Sequence, residues 1–342
     1  MNRKIKSIAK YSLYVIFPLA FIFISLFAGR YSVSFNDVIR TLAGFFSGKT
    51  LEETGVSAEC WSVVTQLRLP RLLASAVVGA ALAVSGGAYQ GIFRNPLVSP
   101  GILGVSAGAG FGAALAIVTV GAGAAATYGF AFGGGICAVL LSYRISGIYR
   151  SAPTVMLVLG GTVVQSVFNA LISLLKYTAD ADRELPAIVY WLMGSVSSVG
   201  WKTLIAAVPA IAGIIIILCC GWRINVLTMG EREARTLGVD VKKTKLVVIS
   251  GATLATASAV CMSGVVGWVG LVIPHISRMI VGHDARKMLP LSVSVGAAFM
   301  VAIDTVSRSL AASELPLSIL TSLIGAPFFV FLLKKTKGGG WA

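Results

Sequence analysis

The side chains that commonly catalyse reactions are few in this sequence, and their spacing forms no catalytic set. Only two histidines occur, His275 and His283, and the five cysteines show no CxxC spacing typical of metal or redox sites. Residues 43–50, AGFFSGKT, resemble a phosphate-binding loop, but Ala43 replaces the first glycine and no strand precedes the segment. We therefore expect a protein that is not an enzyme and that binds no metal or cofactor itself.

Arginines near the ends of apolar stretches are the first candidates for recognition. Arg68 and Arg71 lie in the segment QLRLPR, and Arg308 follows the apolar stretch 288–307. Guanidinium groups form bidentate hydrogen bonds with carboxylates, which suits docking of an acidic partner. The alternative is that these side chains only reach the membrane surface from helix ends.

The segment Asn225–Val241 is the most polar connection between apolar stretches. It has Glu231 and Glu233 near its start, Arg235 later and Gly238 as a stop signal, a pattern that predicts a short helix. Such a helix would present a rigid surface to a soluble partner. An ordinary solvated loop is the alternative.

Two further polar features interrupt the apolar stretches. Asn95 to Pro100 contains two prolines, so it cannot be regular helix throughout and predicts a tight turn. Gln165 and Asn169 are four residues apart and share one face of a helix. Polar side chains at membrane depth usually face a cavity or another helix, so this face predicts either a transport pathway or helix–helix hydrogen bonds.

The elements that carry these residues are membrane helices. Only 12% of the 342 residues are charged and the mean hydropathy is +0.88, whereas a soluble domain carries about 25% charge. A membrane-spanning helix needs about 20 apolar residues. We predict one membrane domain over residues 1–342 with about ten such helices, two of them in range 95–143 and two in range 246–277. The stretches are 11–29 and 72–93, then 95–143, 151–175 and 203–222, then 246–277, 288–307 and 315–333. The seventh and eighth are separated near Gly264 to Gly267, and 185–200 predicts a short interfacial helix.

The placement of charge predicts the orientation. With the N-terminus in the cytoplasm, 19 of the 28 Lys and Arg residues lie on the inner side and 9 on the outer side. This asymmetry follows the positive-inside rule and accounts for the net charge of +15, so we expect no nucleic-acid partner. The N-terminal residues 1–10, the loop 223–245 and the tail 334–342 are then cytoplasmic, and Arg68, Arg71 and Arg308 are outside.

Long motifs carry a resemblance to a known family. These are QLRLPR before the second helix, FRNPLVSPG after it, the segment Asn225–Val241, and GVVGWVGLVIPHISR followed by GHDAR. In this order they resemble the permease subunits of type II ABC importers for iron–siderophore complexes, haem and cobalamin. The resemblance covers roughly residues 60–335. It implies an all-α bacterial inner-membrane protein that works as a homodimeric pair of permeases with two cytoplasmic ATPases, which hold ATP and Mg²⁺, and an extracytoplasmic binding protein.

The resemblance also assigns roles to individual residues. It implies a cytoplasmic gate at Asn95 and Leu97 with Pro153 and Thr154, and docking of the binding protein at Arg68, Arg71 and Arg308. It places the pathway along the helix of Gln165 and Asn169. Contact with the ATPase falls to six residues of the loop: Gly230, Glu231, Ala234, Arg235, Leu237 and Gly238.

The alternative function is a secondary transporter or channel. Ion-coupled carriers depend on ionisable residues inside the membrane, and apart from boundary residues the apolar stretches carry none. The sequence leaves the cargo open among siderophore, haem and cobalamin, and homodimer against heterodimer.

Overall fold

The chain is helical throughout the part that the structure describes. The computed structural model describes residues 2–121, 123–147, 153–311 and 313–335, and no strand occurs among them. The helices are α1 Asn2–Ser25, α2 Phe35–Phe46, α3 Leu51–Thr54, α4 Ala58–Ser62, α5 Leu69–Phe93, α6 Val105–Thr119, α7 Ala124–Ser146, α8 Pro153–Thr178, α9 Glu184–Met193, α10 Ala207–Cys219, α11 Gly221–Met229, α12 Glu231–Thr236, α13 Val241–Ser263, α14 Val269–Val281, α15 Ala285–Ser309 and α16 Leu317–Lys335. A π-helical turn, Val63–Arg68, joins α4 to α5, so that Ala58–Phe93 is one continuous helix.

Five helices in the described part of the chain are long and apolar enough to cross a membrane. They are Ala58–Phe93, Ala124–Ser146, Val155–Thr178, Val241–Ser263 and Ala285–Ser309. A sixth span results if the helical segment Thr203–Cys219, which contains α10, and α11, bent by 55° relative to each other, are counted together. The other four predicted spans are present as shorter apolar helices: Tyr14–Ser25, Val105–Thr119, Val269–Val281 and Leu317–Phe331. Each of the ten predicted segments therefore corresponds to a helix, and 185–200 contains the short helix α9.

The helices α5 and α13 form the centre of the subunit. Burial covers 83% of the most apolar window of the α5 span and 78% of that of α13, but only 33% of those of α7 and α8. Glycines let the central helices touch: a Cβ on Gly79 of α5 would lie 2.0 Å from the carbonyl oxygen of Gly296 on α15. Close backbone contact of this kind is how membrane helices associate, since lipid removes most of the hydrophobic driving force.

The break between α13 and α14 lies where the sequence predicted it. Gly264 has φ of +69° and Trp268 has φ of +68°, which end one helix and begin the next. The Trp268 ring then packs against Gly325 of α16, where a Cβ would lie 2.5 Å from the Trp268 Cβ. This contact attaches α16 to the central helices.

Candidate functional site

The polar residues gather at the two ends of α5. Its first turn carries Arg71, and Arg94 follows its last residue, Phe93. We call these the Arg71 end and the Phe93 end of the subunit. The turn of Asn95 lies at the Phe93 end beside the start of α15, and α11, which leads into the short helix α12, is hydrogen-bonded to Asp284 there.

At the Phe93 end, α12 is held rigidly against α13. The Glu231 carboxylate accepts a hydrogen bond from Lys245 Nζ at 2.6 Å, and the side chain of Ala234 is fully buried. Gly238, with φ of +77°, ends the helix: its N–H donates to the Arg235 carbonyl and the next N–H donates to that of Ala234. This pairing satisfies the last carbonyls of the helix, so a six-residue helix keeps a defined shape.

The exposed side of α12 is a compact surface of mixed charge. Arg235 is 71% exposed and Leu237 is 53% exposed, and Arg232 and Glu233 are exposed beside them. Gly230, before the helix, has φ of +136° and is buried. Of the six predicted contact residues, Arg235, Leu237 and Gly238 therefore face outward. Gly230, Glu231 and Ala234 support them from within.

The loop of α11 and α12 is tied to α15 by an amide that the sequence analysis did not single out. Asn225 Nδ2 donates to Asp284 Oδ1 at 2.5 Å, and Asn225 Oδ1 accepts from the Ala285 N–H at 2.6 Å. The hydrogen bonds from Arg286 lower the pKa of Asp284 to about 2, with Asn225 adding to the shift. Asp284 is thus an anion at any physiological pH, and it also caps α15.

The predicted gate residues lie in the turn at the end of α5. Asn95 and Leu97 are both exposed, and Asn95 Oδ1 accepts a hydrogen bond from the Leu97 N–H at 2.9 Å. Pro153 and Thr154 begin α8, but their side chains lie outside the described part of the chain. The gate role of these four residues stays a prediction.

The predicted pathway residues share an exposed face of α8. Gln165 and Asn169 are exposed, and neither side chain forms a hydrogen bond to the described residues. The neighbouring hydroxyls of Ser166 and Ser173 donate to carbonyls of α8 itself. Two unpaired amides on an apolar helix require a cavity or a second protein surface. Helix–helix hydrogen bonding within the subunit, the alternative reading of this face, is absent from the described residues.

At the Arg71 end, the three predicted arginines lie together but point into the subunit. Arg71 donates to Asp304 Oδ1 from Nε at 2.9 Å and to Glu314 Oε1 from Nη1 at 2.6 Å. Arg68 donates to the carbonyl oxygens of Leu26 and Tyr31, and Arg308 donates to that of Ser25. These arginines tie α1, α5 and α15 together. Their role in docking stays a prediction.

The sequence analysis missed Asp304 and Glu314 as partners of Arg71. Asp304 is completely buried, and Arg308 Nε lies 3.9 Å from its Oδ2. A signal was available, because a lone carboxylate in an otherwise apolar helix is expensive unless it is paired. Asp304 and Arg308 are also four residues apart, which places them on one face of a helix.

Comparison with known proteins places this architecture in a family. The model of the FecCD transport family matches residues 16–335. The chain belongs to this family. Within it, the chain is 42% identical over 319 residues to the molybdate import system permease protein MolB of Haemophilus influenzae, covering 93% of each chain.

Other relatives in the family are named for different cargoes. The cobalamin import system permease protein BtuC of Halobacterium salinarum is 42% identical over 284 residues, which cover 83% of this chain and 76% of BtuC. The hemin transport system permease protein HmuU of Yersinia pestis is 37% identical over 297 residues, which cover 85% and 89%. Family membership therefore does not determine the cargo.

The fold of the FecCD family is confirmed by a solved structure. A metal-chelate type ABC transporter in an inward-facing conformation superposes with a TM-score of 0.83 at 38% identity, covering 96% of this chain and 99% of that chain. The predicted all-α fold and the predicted family are thus confirmed. The chain is a multi-pass membrane permease subunit of a type II ABC importer.

Proposed function

We propose that this permease moves an iron chelate (a siderophore complex), haem or cobalamin into the cytoplasm. Two copies form the pathway in the bacterial inner membrane, and two cytoplasmic ATPase subunits bind ATP and Mg²⁺. An extracytoplasmic binding protein delivers the cargo. The Phe93 end is cytoplasmic in this arrangement, which agrees with the excess of Lys and Arg in the segments predicted to lie inside.

The observation that carries the ATP-driven mechanism is the exposed surface of α12. A helix of six residues is not stable by itself, yet this one is capped at its end by Gly238 and attached to α13 by the Glu231–Lys245 pair. Because α12 is attached to α13, a force that a partner applies to the exposed Arg235 and Leu237 is transmitted to α13, which lies at the centre of the subunit.

Co-purification with the ATPase subunit tests the docking surface. We expect the double variant Arg235→Ala, Leu237→Ala to lose the ATPase subunit during purification while the permease stays in the membrane. These side chains are exposed, so their removal should cost the permease itself less than about 0.5 kcal/mol. The matched control is Lys242→Ala with Lys243→Ala, two exposed residues at the start of α13. Retention of the ATPase by the α12 variant would refute the docking assignment.

The exposed face of α8 supports a pathway between two permease copies. Gln165 and Asn169 on two facing copies of α8 would provide a polar wall for a large solute. Asn95 and Leu97, together with Pro153 and Thr154, would close it at the cytoplasmic end. Cross-linking of Asn169→Cys between copies by a bifunctional maleimide tests this arrangement, because opposite walls of the pathway face each other across the width of the solute, which a direct disulfide cannot span.

Docking of the binding protein at the Arg71 end involves an exchange of partners. Arg71 is held by the buried Asp304 and by Glu314, which is 29% exposed. A carboxylate of the binding protein can replace Glu314 on the outward side of Arg71, while Arg68 and Arg308 hold the surrounding backbone in place. Glu314→Gln should therefore tighten docking, since it removes the internal competitor.

Molybdate is the second candidate cargo. It is favoured by the 42% identity to the molybdate permease of Haemophilus influenzae, which extends over 93% of both chains. An uptake assay distinguishes these cargoes. Cells that contain this permease receive one labelled cargo at a time, with the others unlabelled as competitors: ferric siderophore, haem, cobalamin and molybdate.

A further inference from the structure

A cleft at the Phe93 end shares only Asn95 with the gate proposed above. It encloses about 390 Å³ between α5, α11, α14 and the start of α15. Gly87 and Gly91 of α5 contribute to its wall, where a larger residue at Gly91 would meet the side chain of Ile224 at 2.6 Å. Its polar lining comes from three parts of the chain: Gln90, Arg94 and Asn95 at the end of α5, Thr228 of α11, and His275, Arg278 and His283 on and after α14.

The charge of this lining is one-sided. The chain has only two histidines, and both line this cleft together with Arg94 and Arg278. Among the residues that line it, none carries a carboxylate. The neighbouring Asp284 is already engaged by Asn225 and Arg286. Two guanidinium groups in a recess with no compensating carboxylate attract an anion and repel a metal cation.

The positions of the cationic groups are set by the fold. Arg278 donates to Gln90 Oε1, and Gln90 Nε2 in turn donates to the carbonyl oxygens of Val98 and Gly270, both at 3.3 Å. His275 precedes Arg278 by three residues and therefore lies on the same face of α14. Because this hydrogen bond already fixes the Arg278 side chain, Arg278 loses little conformational freedom when an anion binds to it.

Arg94 lines the cleft from the end of α5 and has an unusual backbone conformation. It is one of two residues other than glycine in the described chain with positive φ, at +49°. Its N–H donates to the Gly91 carbonyl and the next N–H donates to that of Gln90, so it ends α5 in a position that glycine usually occupies. Arg94 is exposed and contributes its cationic side chain to the lining of the cleft.

We propose that this cleft binds a tetrahedral oxyanion of the phosphate type. The geometry suits such a ligand, because planar guanidinium groups bind oxyanions through paired hydrogen bonds and imidazole N–H groups add further donors. The site does not depend on which cargo the permease carries. Two sources supply this chemistry at the cytoplasmic end: inorganic phosphate released by the ATPase partner, and an oxyanion cargo such as molybdate. The cytoplasmic orientation and the ATPase partner, which rest on the proposed function, decide only where the oxyanion comes from. Failure of the transport proposal would therefore leave oxyanion binding itself testable.

Binding to the purified permease in lipid nanodiscs tests the site. Sodium phosphate and sodium molybdate are titrated separately by calorimetry, each against sodium chloride at the same ionic strength. We expect saturable binding of one oxyanion per subunit and none of chloride. Preference for phosphate would identify the ATPase product as the source, and preference for molybdate would identify cargo.

Two exposed residues provide variants that leave the helix core intact. Arg94→Gln and His283→Gln should each weaken oxyanion binding, by about tenfold for the arginine, which corresponds to about 1.4 kcal/mol. The matched control is Arg223→Gln, an exposed arginine on α11 that does not line the cleft, and its affinity should stay within about twofold of the wild type.

Three results would overturn the proposal. The first is binding that does not saturate or that chloride matches. The second is an equal loss of affinity in Arg223→Gln, which would indicate attraction by the overall charge alone. The third is binding by the isolated permease that disappears in the complete transporter, because a side chain of the partner would then fill the cleft.

Discussion

The carboxylate of Asp304 is expected to hold the Arg71 end together, and its replacement by asparagine tests this. Asparagine has nearly the same shape, so Asp304→Asn removes a charge without creating a cavity. Asp304 is 0% exposed and lies 2.8 Å from Arg71 Nη2, whose side chain is 12% exposed. Arg308 Nε lies 3.9 Å away. The variant therefore leaves two buried guanidinium groups with less compensation.

The magnitude follows from what each arginine retains. Removing one partner of a buried ion pair costs about 3–5 kcal/mol, because the other charge remains buried. Arg71 keeps Glu314 at 2.6 Å, which places the expected cost near about 3 kcal/mol. By contrast, Glu314→Gln removes a partly exposed carboxylate while Asp304 remains, so it should cost no more than about 1 kcal/mol.

Thermal unfolding in detergent measures the difference. Cys60, Cys220 and Cys261 are buried, so a thiol-reactive dye reports their exposure on unfolding once the exposed Cys137 and Cys219 are replaced by alanine in all variants. We expect Asp304→Asn to lower the Tm by roughly 5–10 °C, and Glu314→Gln to lower it by only a few degrees. The reasoning is refuted if Asp304→Asn unfolds like the wild type, or if Glu314→Gln is at least as damaging.

Three further predictions concern the helices. Gly79→Ala should destabilise the permease by about 1–3 kcal/mol in the same unfolding assay. The new Cβ would lie 2.0 Å from the Gly296 carbonyl oxygen. A variant as stable as the wild type would contradict the close contact of α5 and α15. The double variant Gln165→Ala, Asn169→Ala should reduce cargo uptake at least several-fold. Because both side chains are exposed, the free energy of unfolding should change by less than about 0.5 kcal/mol. Normal uptake would show that neither residue belongs to the pathway. Gly230→Ala should lower ATPase co-purification, because φ of +136° at this position strains any residue with a Cβ; unchanged co-purification would show that the entry to α12 can adapt.

Much of the fold was predictable because a helix inside the bilayer needs an apolar stretch free of charge. The charge-free stretches corresponded to ten helices, and the glycines near 264 and 267 marked the break between α13 and α14. The lengths of individual spans were less predictable. The sequence does not show that α6 and α14 stay as short as 15 and 13 residues, since packing against the central helices decides where they end.

The candidate site was predictable where its signals are local. Gly238 and the charges around it indicated α12, and the two prolines after Asn95 indicated the turn. The direction of the arginines was not predictable in this way. Arg71 meets Asp304 across 233 residues of sequence, and the Asn225–Asp284 contact spans 59, so both depend on helix packing that no local pattern encodes.

Uptake into cells that contain this permease tests the central claim most directly. Cells with and without the chain receive labelled ferric siderophore, haem, cobalamin or molybdate, with vanadate or an uncoupler as separate treatments. An ATP-driven importer predicts uptake of one cargo that requires the chain and that vanadate abolishes. Uptake that ignores vanadate and collapses with the uncoupler would contradict the account and indicate an ion-coupled carrier.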